Sequence, residues 1–142
     1  MPADPACVFC KIIAGQIPAL RVLDDEAVVA FLDVGPLAPG HTLLVPREHH
    51  ARLADLPAAA AAAVGAHLPR LAGAILKATG ATGLNLLQNS GRVAGQVVEH
   101  VHFHLIPRRE NDGLGFRWNA GAYTAGQADA VAAAIRAALP PA

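Results

Sequence analysis

Cysteine is scarce in this sequence, and so are the signals of secretion and membrane insertion. The chain has 142 residues and two cysteines, Cys7 and Cys10, which are too close in sequence to form a useful structural disulfide. The first residues contain neither the basic segment nor the apolar segment of a signal peptide. No uninterrupted apolar run of about 18 residues without helix breakers follows. We therefore expect a cytoplasmic protein with reduced thiols and no membrane partner.

An excess of charge of either sign is also missing. Eleven basic and eleven acidic residues cancel, so the molecule has no overall field that would draw it to a nucleic acid. Charged residues make up 15% of the chain and hydrophobic residues 54%, which is typical of a compact folded protein and not of a disordered one. No repeat or linker divides the sequence. We predict one domain over residues 1–142, long enough to bury its own core.

Three of the seven histidines stand at alternate positions. His100, His102 and His104 are separated by apolar residues, and this alternation continues to Leu105. Successive side chains of a β-strand point to opposite faces, so a strand would put the three rings together on one face and the apolar side chains on the other. A helix would scatter the rings around its circumference. The pattern therefore predicts a strand that carries a functional site and ends at Pro107.

The rest of the sequence predicts short strands and a few helices. A run of alanine follows Pro57 and stops at Gly80, which is typical of a long helix. Pro69 falls in its middle, so we expect a kink there or two helices meeting. Shorter helical segments are predicted at 11–16 and 126–139, and strands at 20–23, 27–33, 41–46 and 83–88. This order favours an α+β fold, in which a five-stranded, mainly antiparallel sheet packs against one long helix.

A polar loop at 89–96 leads into the histidine segment. It contains Gly91 and Gly95, and glycines leave backbone N–H groups free to approach an anion closely. Directly before the three histidines, the loop is a candidate for phosphate binding.

Three functions fit the histidines. A neutral imidazole, with an ordinary pKa of about 6.5, can attack phosphorus and form a covalent intermediate. His102 has a histidine on either side that could bind the phosphate or protonate the leaving group. Alternatively, the three rings could jointly hold a catalytic metal with an open position for water. A third hypothesis is a nucleotide-binding protein without turnover.

The cysteine pair favours a metal over a redox function. Cys7 and Cys10 come before any predicted strand, whereas a thioredoxin-like pair follows one. Two thiolates supply half of a tetrahedral zinc site, and histidines from far along the chain would complete it. His49 and one histidine of the triplet would close such a site, which would remove that histidine from a three-histidine catalytic metal site. Two thiols that bind nothing remain the alternative.

Three blocks of the sequence resemble the histidine-triad family of nucleotide hydrolases and transferases. They lie at 7–18, 30–46 and 94–107, in the order that the family has them, and together they span roughly residues 7 to 108. The closest resemblance is to the Hint-like branch. It implies a homodimer whose two sheets join, a purine nucleotide as substrate and no organic cofactor. Adenosine phosphoramidates are the first expectation for the substrate, with dinucleoside polyphosphates and aminoacyl adenylates as alternatives.

The resemblance also implies residue roles. His102 would attack the α-phosphorus and form a nucleotidyl-histidine that water then hydrolyses. His104 would contact the phosphate and the leaving group, and His41 would support the site. Asp33 would hold the ribose hydroxyls. The base pocket would be formed by Phe9, Ile12, Ile17, Phe31 and Val34, the phosphate loop by Asn89, Gly95, Gln96 and Val97, and a structural zinc site by Cys7, Cys10, His49 and His100.

One position departs from the family pattern. Some members carry a serine hydroxyl where this chain has Val97, so only a backbone N–H is available there. This departure affects the expected leaving-group preference and leaves the nucleophile unchanged.

Overall fold

Five strands form one antiparallel sheet in the computed structural model of the chain, which describes residues 3–115 and 118–142. The strands lie side by side in the order β1, β2, β3, β5, β4. Their bounds are β1 Arg21–Asp24, β2 Val28–Leu32, β3 Thr42–Pro46, β4 Gly83–Leu87 and β5 Phe103–Arg108. The helices are α1 Val8–Ile13, α2 Ala58–Thr79 and α3 Gln127–Ala138, with single 3₁₀ turns at Leu53–Asp55 and Arg92–Ala94. The α+β prediction is confirmed.

The two faces of the sheet carry separate hydrophobic clusters, because neighbouring residues of a strand point to opposite sides. Residues such as Val28 and Leu44 pack with α2, whereas Val29 and Leu43 pack with α1. The α2 cluster consists of Val28, Ala30, Leu44, Val64, Leu71, Ile75, Val101, Phe103 and Leu105. The α1 cluster consists of Cys7, Phe9, Cys10, Ile12, Val29, Phe31, Leu43 and Val45. The long helix thus backs the sheet, and the opposite face carries the short helix.

The helix α2 is continuous through Pro69, so the expectation of two helices meeting there is wrong. Proline removes the hydrogen bond to the carbonyl four residues earlier, here that of Gly65. Both residues lie on the exposed side of the helix, where water can bind the freed carbonyl. By length and composition α2 could also cross a membrane, alone among the helices of residues 3–115 and 118–142. One helix of this kind is weak evidence of membrane insertion. In this fold Leu71 and Ile75 of α2 are buried against the sheet.

The histidine segment is a strand only in its second half. β5 begins at Phe103, so the prediction of one strand carrying all three histidines is wrong. The pairing with β3 stops at Phe103, and Val101 instead donates its N–H to the carbonyl of His50 at 2.7 Å. The alternation of sides nevertheless persists, since Val101, Phe103 and Leu105 all lie in the α2 cluster. The rings of the histidines are therefore directed to the α1 side.

Pro107 lies inside β5 and does not end it. The carbonyl of Arg108 accepts from Thr82, on the β4 side, so the nitrogen of Pro107 points to the β3 side. Pairing with β3 has already ended there, at Leu105. The proline therefore removes no ladder hydrogen bond.

The two short helices differ from prediction in different ways. α1 begins at Val8, earlier than expected, because the Cys7 sulfur accepts from the N–H of Cys10 and caps the helix. α3 lies within one residue of its predicted bounds but buries none of its residues. Its apolar residues Val131 and Ile135 are exposed on this chain.

Candidate active site

A cavity of about 520 Å³ opens on the α1 side of the sheet. Its walls come from α1, the end of β2, the loop after β2, the loop before the histidines and β5. All but one of the residues predicted to bind the nucleotide line it: Phe9, Ile12, Ile17, Phe31, Asp33, Val34, Asn89, Gly95, Val97, His102 and His104. The structure therefore gathers these side chains around one space.

Gln96 is the exception, because its side chain turns away from the cavity. It is 3% exposed and its oxygen accepts from the N–H of Gly91 at 2.7 Å. Its nitrogen donates to the carbonyls of Ala51 at 2.7 Å and Val98 at 3.0 Å. Gln96 thus uses its amide to shape the loop 91–96 and anchor it to the segment after His49, and it makes no side-chain contribution to the cavity.

The ring of His102 is held in one tautomer by the backbone. Its Nδ1 lies 2.7 Å from the carbonyl oxygen of His100, which can only accept, so Nδ1 carries the proton. The lone pair is therefore on Nε2, the nitrogen left for the cavity. Burial lowers the pKa of His102, although the hydrogen bond to His100 and the charge of Asp33 oppose this. A neutral ring with a free Nε2 is what a nucleophile requires.

His41 and His104 form a hydrogen-bonded pair next to His102. The N–H of Leu37 donates to Nδ1 of His41 at 3.0 Å, so His41 carries its proton on Nε2. That proton is donated to Nδ1 of His104 at 2.9 Å, which leaves His104 with a proton on Nε2. The ring centroids of His104 and His102 lie 5.0 Å apart. His104 can therefore donate a hydrogen bond to a group bound beside His102.

Burial makes this pair neutral. Burial and, to a smaller extent, the neighbouring rings of His102 and His41 together lower the pKa of His104 to about 4, while the charge of Asp33 opposes the shift. Burial also lowers the pKa of His41, which is 2% exposed, while Asp33 opposes the shift. His41 does not line the cavity, so its contact with the site passes through His104 and Asp33.

Asp33 lies at the end of β2 beside this pair. Its Oδ2 is 3.6 Å from Nε2 of His41, and its Oδ1 accepts from the N–H of Gly35 at 2.8 Å. Asp33, His41 and His104 could in principle surround a cation, since their ligand atoms lie within 4.8 Å of one another. A cation on Nε2 of His41 would displace the proton that the hydrogen bond to Leu37 puts there. The tautomers therefore favour the hydrogen-bonded pair.

A second cluster lies behind α1 and consists of Cys7, Cys10, His49 and His100. Nδ1 of His100 lies 3.5 Å from the Cys7 sulfur and 3.6 Å from the Cys10 sulfur, and Nδ1 of His49 lies 3.4 Å from the Cys10 sulfur. Zinc bonds of about 2.3 Å to sulfur and 2.0 to 2.1 Å to nitrogen at tetrahedral angles separate these atoms by about 3.6 Å. The four residues present fit a closed zinc site.

The tautomer of His100 supports this fit. Its Nε2 lies 2.8 Å from the carbonyl oxygen of Pro46 and donates to it, so Nδ1 has the lone pair that a metal needs. Burial lowers the pKa of His100 to about 4, which makes the ring neutral, and burial raises the pKa of the Cys7 thiol. The hypothesis of a catalytic metal shared by the three histidines is wrong, because His100 faces the cysteines.

Several residues of the cavity wall were not predicted from the sequence. Leu43 and Leu87 are the residues directly opposite His104 on the two neighbouring strands, and both line the cavity. Opposite residues of antiparallel strands share a face, so a predicted register would have found them. Leu37 and Ile106 also line the cavity. Ile106 continues the alternation of the histidines, whereas no sequence signal pointed to Leu37.

Comparisons with known proteins agree on one family. A family model described as the HIT domain matches residues 14–111. The chain is 45% identical over 108 residues to the adenylylsulfatase HINT3 of Arabidopsis thaliana, a match that covers 76% of this chain and 55% of that protein. It is 43% identical over 114 residues to the adenosine 5'-monophosphoramidase hnt1 of Schizosaccharomyces pombe, which covers 80% of this chain and 83% of that protein.

Solved structures extend the similarity to the fold. A HIT family protein from Bacillus subtilis superposes with a TM-score of 0.91 at 38% identity and covers 96% of this chain and 99% of that chain. A zinc-bound histidine triad family protein from Mycobacterium smegmatis has a TM-score of 0.73 at 39% identity, with 82% of this chain and 84% of that chain covered.

Proposed function

The chain belongs to the HIT domain family, and on that premise we propose that it hydrolyses purine nucleotide conjugates at the α-phosphate, with adenosine phosphoramidate as the first candidate substrate. Relatives named adenosine 5'-monophosphoramidase and adenylylsulfatase support hydrolysis at phosphorus. The observation that carries the proposal is the ring of His102, whose Nδ1 is bound to the His100 carbonyl at 2.7 Å. Its Nε2 is thereby left unprotonated for the substrate.

In the proposed first step, Nε2 of His102 attacks the α-phosphorus and the bond to the leaving group breaks. Nδ1–H stays bound to the His100 carbonyl, which stabilises the positive charge that the ring gains. The Nε2–H of His104 donates a hydrogen bond to the departing amine, which takes its proton from solvent because Nδ1 of His104 already accepts from His41. In the second step water attacks the phosphorus and gives its proton to solvent, and the bond to Nε2 of His102 breaks.

The cavity wall supports a nucleotide as the bound group. Phe9 lies edge-to-face against Phe31 at 5.5 Å and against His102 at 5.0 Å, and with the neighbouring aliphatic side chains it forms an apolar space for a flat base. The Asp33 carboxylate also lines the cavity, 3.6 Å from Nε2 of His41, and can accept from ribose hydroxyls. The N–H groups of Gly91, Ala94, Gly95 and Gln96 already donate within the loop. The phosphate would therefore bind to the backbone N–H of Val97, a residue that is 90% exposed.

We also propose that Cys7, Cys10, His49 and His100 hold zinc. The donor set and its spacing support this, as does a zinc-bound relative of known structure. When bound, zinc would supply a structural cross-link between α1 and the histidine segment. Elemental analysis should find about one ion per chain, lost when both cysteines are changed to serine.

A cytoplasmic homodimer completes the proposal. β4 is an edge strand and its Leu86 is 51% exposed, while the apolar residues Val131 and Ile135 of α3 are exposed as well. A second copy that extends the sheet would cover such surfaces. Sedimentation at several concentrations tests this, and a monomer throughout would contradict it.

Dinucleoside polyphosphates are the second candidate substrate, and the charges near the cavity do not favour them. Arg108, the cation further along β5, is already bound by both oxygens of Asp112 and by Asn85. Its charge is therefore neutralised and offers little to a polyphosphate.

A panel of leaving groups tests the function. Adenosine phosphoramidate, adenylyl sulfate, a diadenosine polyphosphate and an aminoacyl adenylate carry the same α-phosphate with different leaving groups. Purified protein should hydrolyse at least one of them, and His102→Ala should not. Binding of AMP without turnover of any member would instead support the non-enzymatic hypothesis.

A further inference from the structure

His100 takes part in both the metal cluster and the active site. Its ring nitrogen Nδ1 faces the sulfur atoms of Cys7 and Cys10 at 3.5 and 3.6 Å, and its carbonyl oxygen accepts from Nδ1 of His102 at 2.7 Å. The ring is also fixed by the carbonyl of Pro46, and the residue is fully buried. The position of this one residue therefore sets the direction of the bond that determines the tautomer of His102.

α1 takes part in both sites as well. Cys7 caps the helix and Cys10 lies on it, while Phe9 and Ile12 of the same helix line the cavity. The helix has six residues, far too few to be stable without tertiary contacts. At its C-terminal end the Arg21 guanidinium donates to the last carbonyls. At its N-terminal end the helix is held through Cys7 and Cys10, whose sulfur atoms face Nδ1 of His100.

We propose that the metal cluster is a positioning device for the nucleotide reaction: with a metal bound, the two cysteines hold Phe9 and Ile12 as the cavity wall and His100 holds His102 with Nε2 toward the substrate. This inference rests on the proposed function. Cys7, Cys10 and His100 are positioning residues, since none of the three is needed to touch the substrate. Metal occupancy then governs nucleotide affinity in addition to stability.

Without a metal the same links are weak. A neutral thiol forms only a weak hydrogen bond to a ring nitrogen, in place of a metal bond with fixed length and angle. The N-terminal end of α1 can then move relative to His100, and Phe9 with it. The rings of Phe9 and His102 pack edge-to-face with their centroids 5.0 Å apart. A movement of Phe9 would therefore change both the cavity wall and the packing against His102.

A cross-link that only stabilises the fold would behave differently, and a core variant separates the two cases. Leu71 is buried in the α2 cluster, on the opposite face of the sheet. Leu71→Ala leaves a cavity there and lowers stability without touching α1, His100 or His102. It is the matched control for loss of stability alone.

The experiment compares zinc-loaded protein with protein stripped by a chelator. AMP affinity is measured by calorimetry, the ring nitrogens of His102 by NMR of ¹⁵N-histidine-labelled protein, and α1 by hydrogen exchange. We expect the stripped protein to bind AMP about tenfold more weakly, His102 to lose its single tautomer, and the α1 amides to exchange faster. Zinc-loaded Leu71→Ala should keep the wild-type AMP affinity. Equal AMP affinity and unchanged His102 signals in the loaded and stripped forms would overturn the proposal.

If stripping unfolds the chain, replacement of zinc by cadmium provides the measurement. Cadmium is the larger ion and keeps the same four ligands at longer bond lengths. The proposal expects the His102 ring signals to differ between the two metal forms more than those of His104, which has no hydrogen bond to the cluster. Identical His102 signals would refute it. Zinc-loaded protein that binds no AMP would instead remove the proposed function, and this inference with it.

Discussion

His100 and His102 lie two residues apart, and a backbone carbonyl binds the ring of each. His100 donates from Nε2 to Pro46, at 2.8 Å, and so presents Nδ1 to the cysteines. His102 donates from Nδ1 to His100, at 2.7 Å, and so presents Nε2 to the cavity. The residue type is the same and both rings are neutral. The carbonyl that each ring meets therefore decides which nitrogen is free, and with it which of the two proposed roles, metal binding or attack on a substrate, the ring can take.

The largest effect expected from this comparison is at His102. His102→Ala should lower turnover by at least about 10³-fold, because removing a covalent nucleophile removes the pathway. AMP affinity should change only a few-fold, since the cavity wall remains. Steady-state kinetics and calorimetry measure the two quantities. Turnover close to that of the unmodified protein would show that the two histidines do not differ in the proposed way.

The next effect is on the metal side. His49→Ala removes a proposed zinc ligand, so metal content should fall and the melting temperature should drop by about 10 °C or more. Turnover should decrease about tenfold and not vanish, because the nucleophile is intact. Elemental analysis, calorimetry and kinetics on one preparation check this. His67→Ala, a histidine outside both clusters, should keep the metal, and loss of metal in both variants would contradict the assignment.

A smaller effect is expected at the loop that leads into both sites. Gln96→Ala leaves the N–H of Gly91 and the carbonyls of Ala51 and Val98 without their partner. A buried unsatisfied polar group lowers stability by about 1 to 3 kcal/mol. KM should rise a few-fold as the phosphate loop loosens, with kcat less affected. Unfolding in denaturant and kinetics give the two values, and an unchanged KM would mean that the loop is held without this amide.

The smallest effect on activity is a displacement of the pH profile. Burial lowers the pKa of His102 below 6.5, so the nucleophile stays neutral when a free histidine is already half protonated. The acid limb of kcat/KM should therefore lie below pH 6.5. A rate that already falls between pH 8 and 7 would show that a different group limits the reaction.

Stability should follow pH in the same range for a related reason. The pKa of His104 is about 4 in the folded chain and about 6.5 in the unfolded chain. Between these values the unfolded chain binds the extra proton, so stability rises with pH from about 4 to 6.5 and is lost as the pH falls through that interval. Denaturant unfolding at several pH values tests the sign, and His104→Asn should reduce the slope.

The alternation of His102 and His104 with apolar residues could be found from the sequence, because side-chain direction along an extended chain has a period of two. The start of β5 at Phe103 could not. It depends on the long-range bond between Val101 and the His50 carbonyl, which leaves no trace in local composition. The continuity of α2 through Pro69 depends likewise on an exposed carbonyl that water can bind.

The members of the candidate site were accessible through a resemblance in sequence, but their tautomers were not. Which ring nitrogen of His41 or His104 carries the proton depends on the N–H of Leu37, a residue that no motif marked. The inward turn of Gln96 also needed coordinates, since a buried amide and a ligand-binding amide look the same in a sequence.

The cap of α1 has a consequence for synthesis. Cys7 and its partner His100 are separated by 93 positions, and a ribosome adds about 5 to 20 residues per second. Cys7 is therefore synthesised about 5 to 19 seconds before His100. During that interval His49 is the one histidine of the proposed zinc ligands that can share a metal with Cys7 and Cys10. Among the helices and strands of this fold, α1 is thus translated first and is among the last to reach its final place.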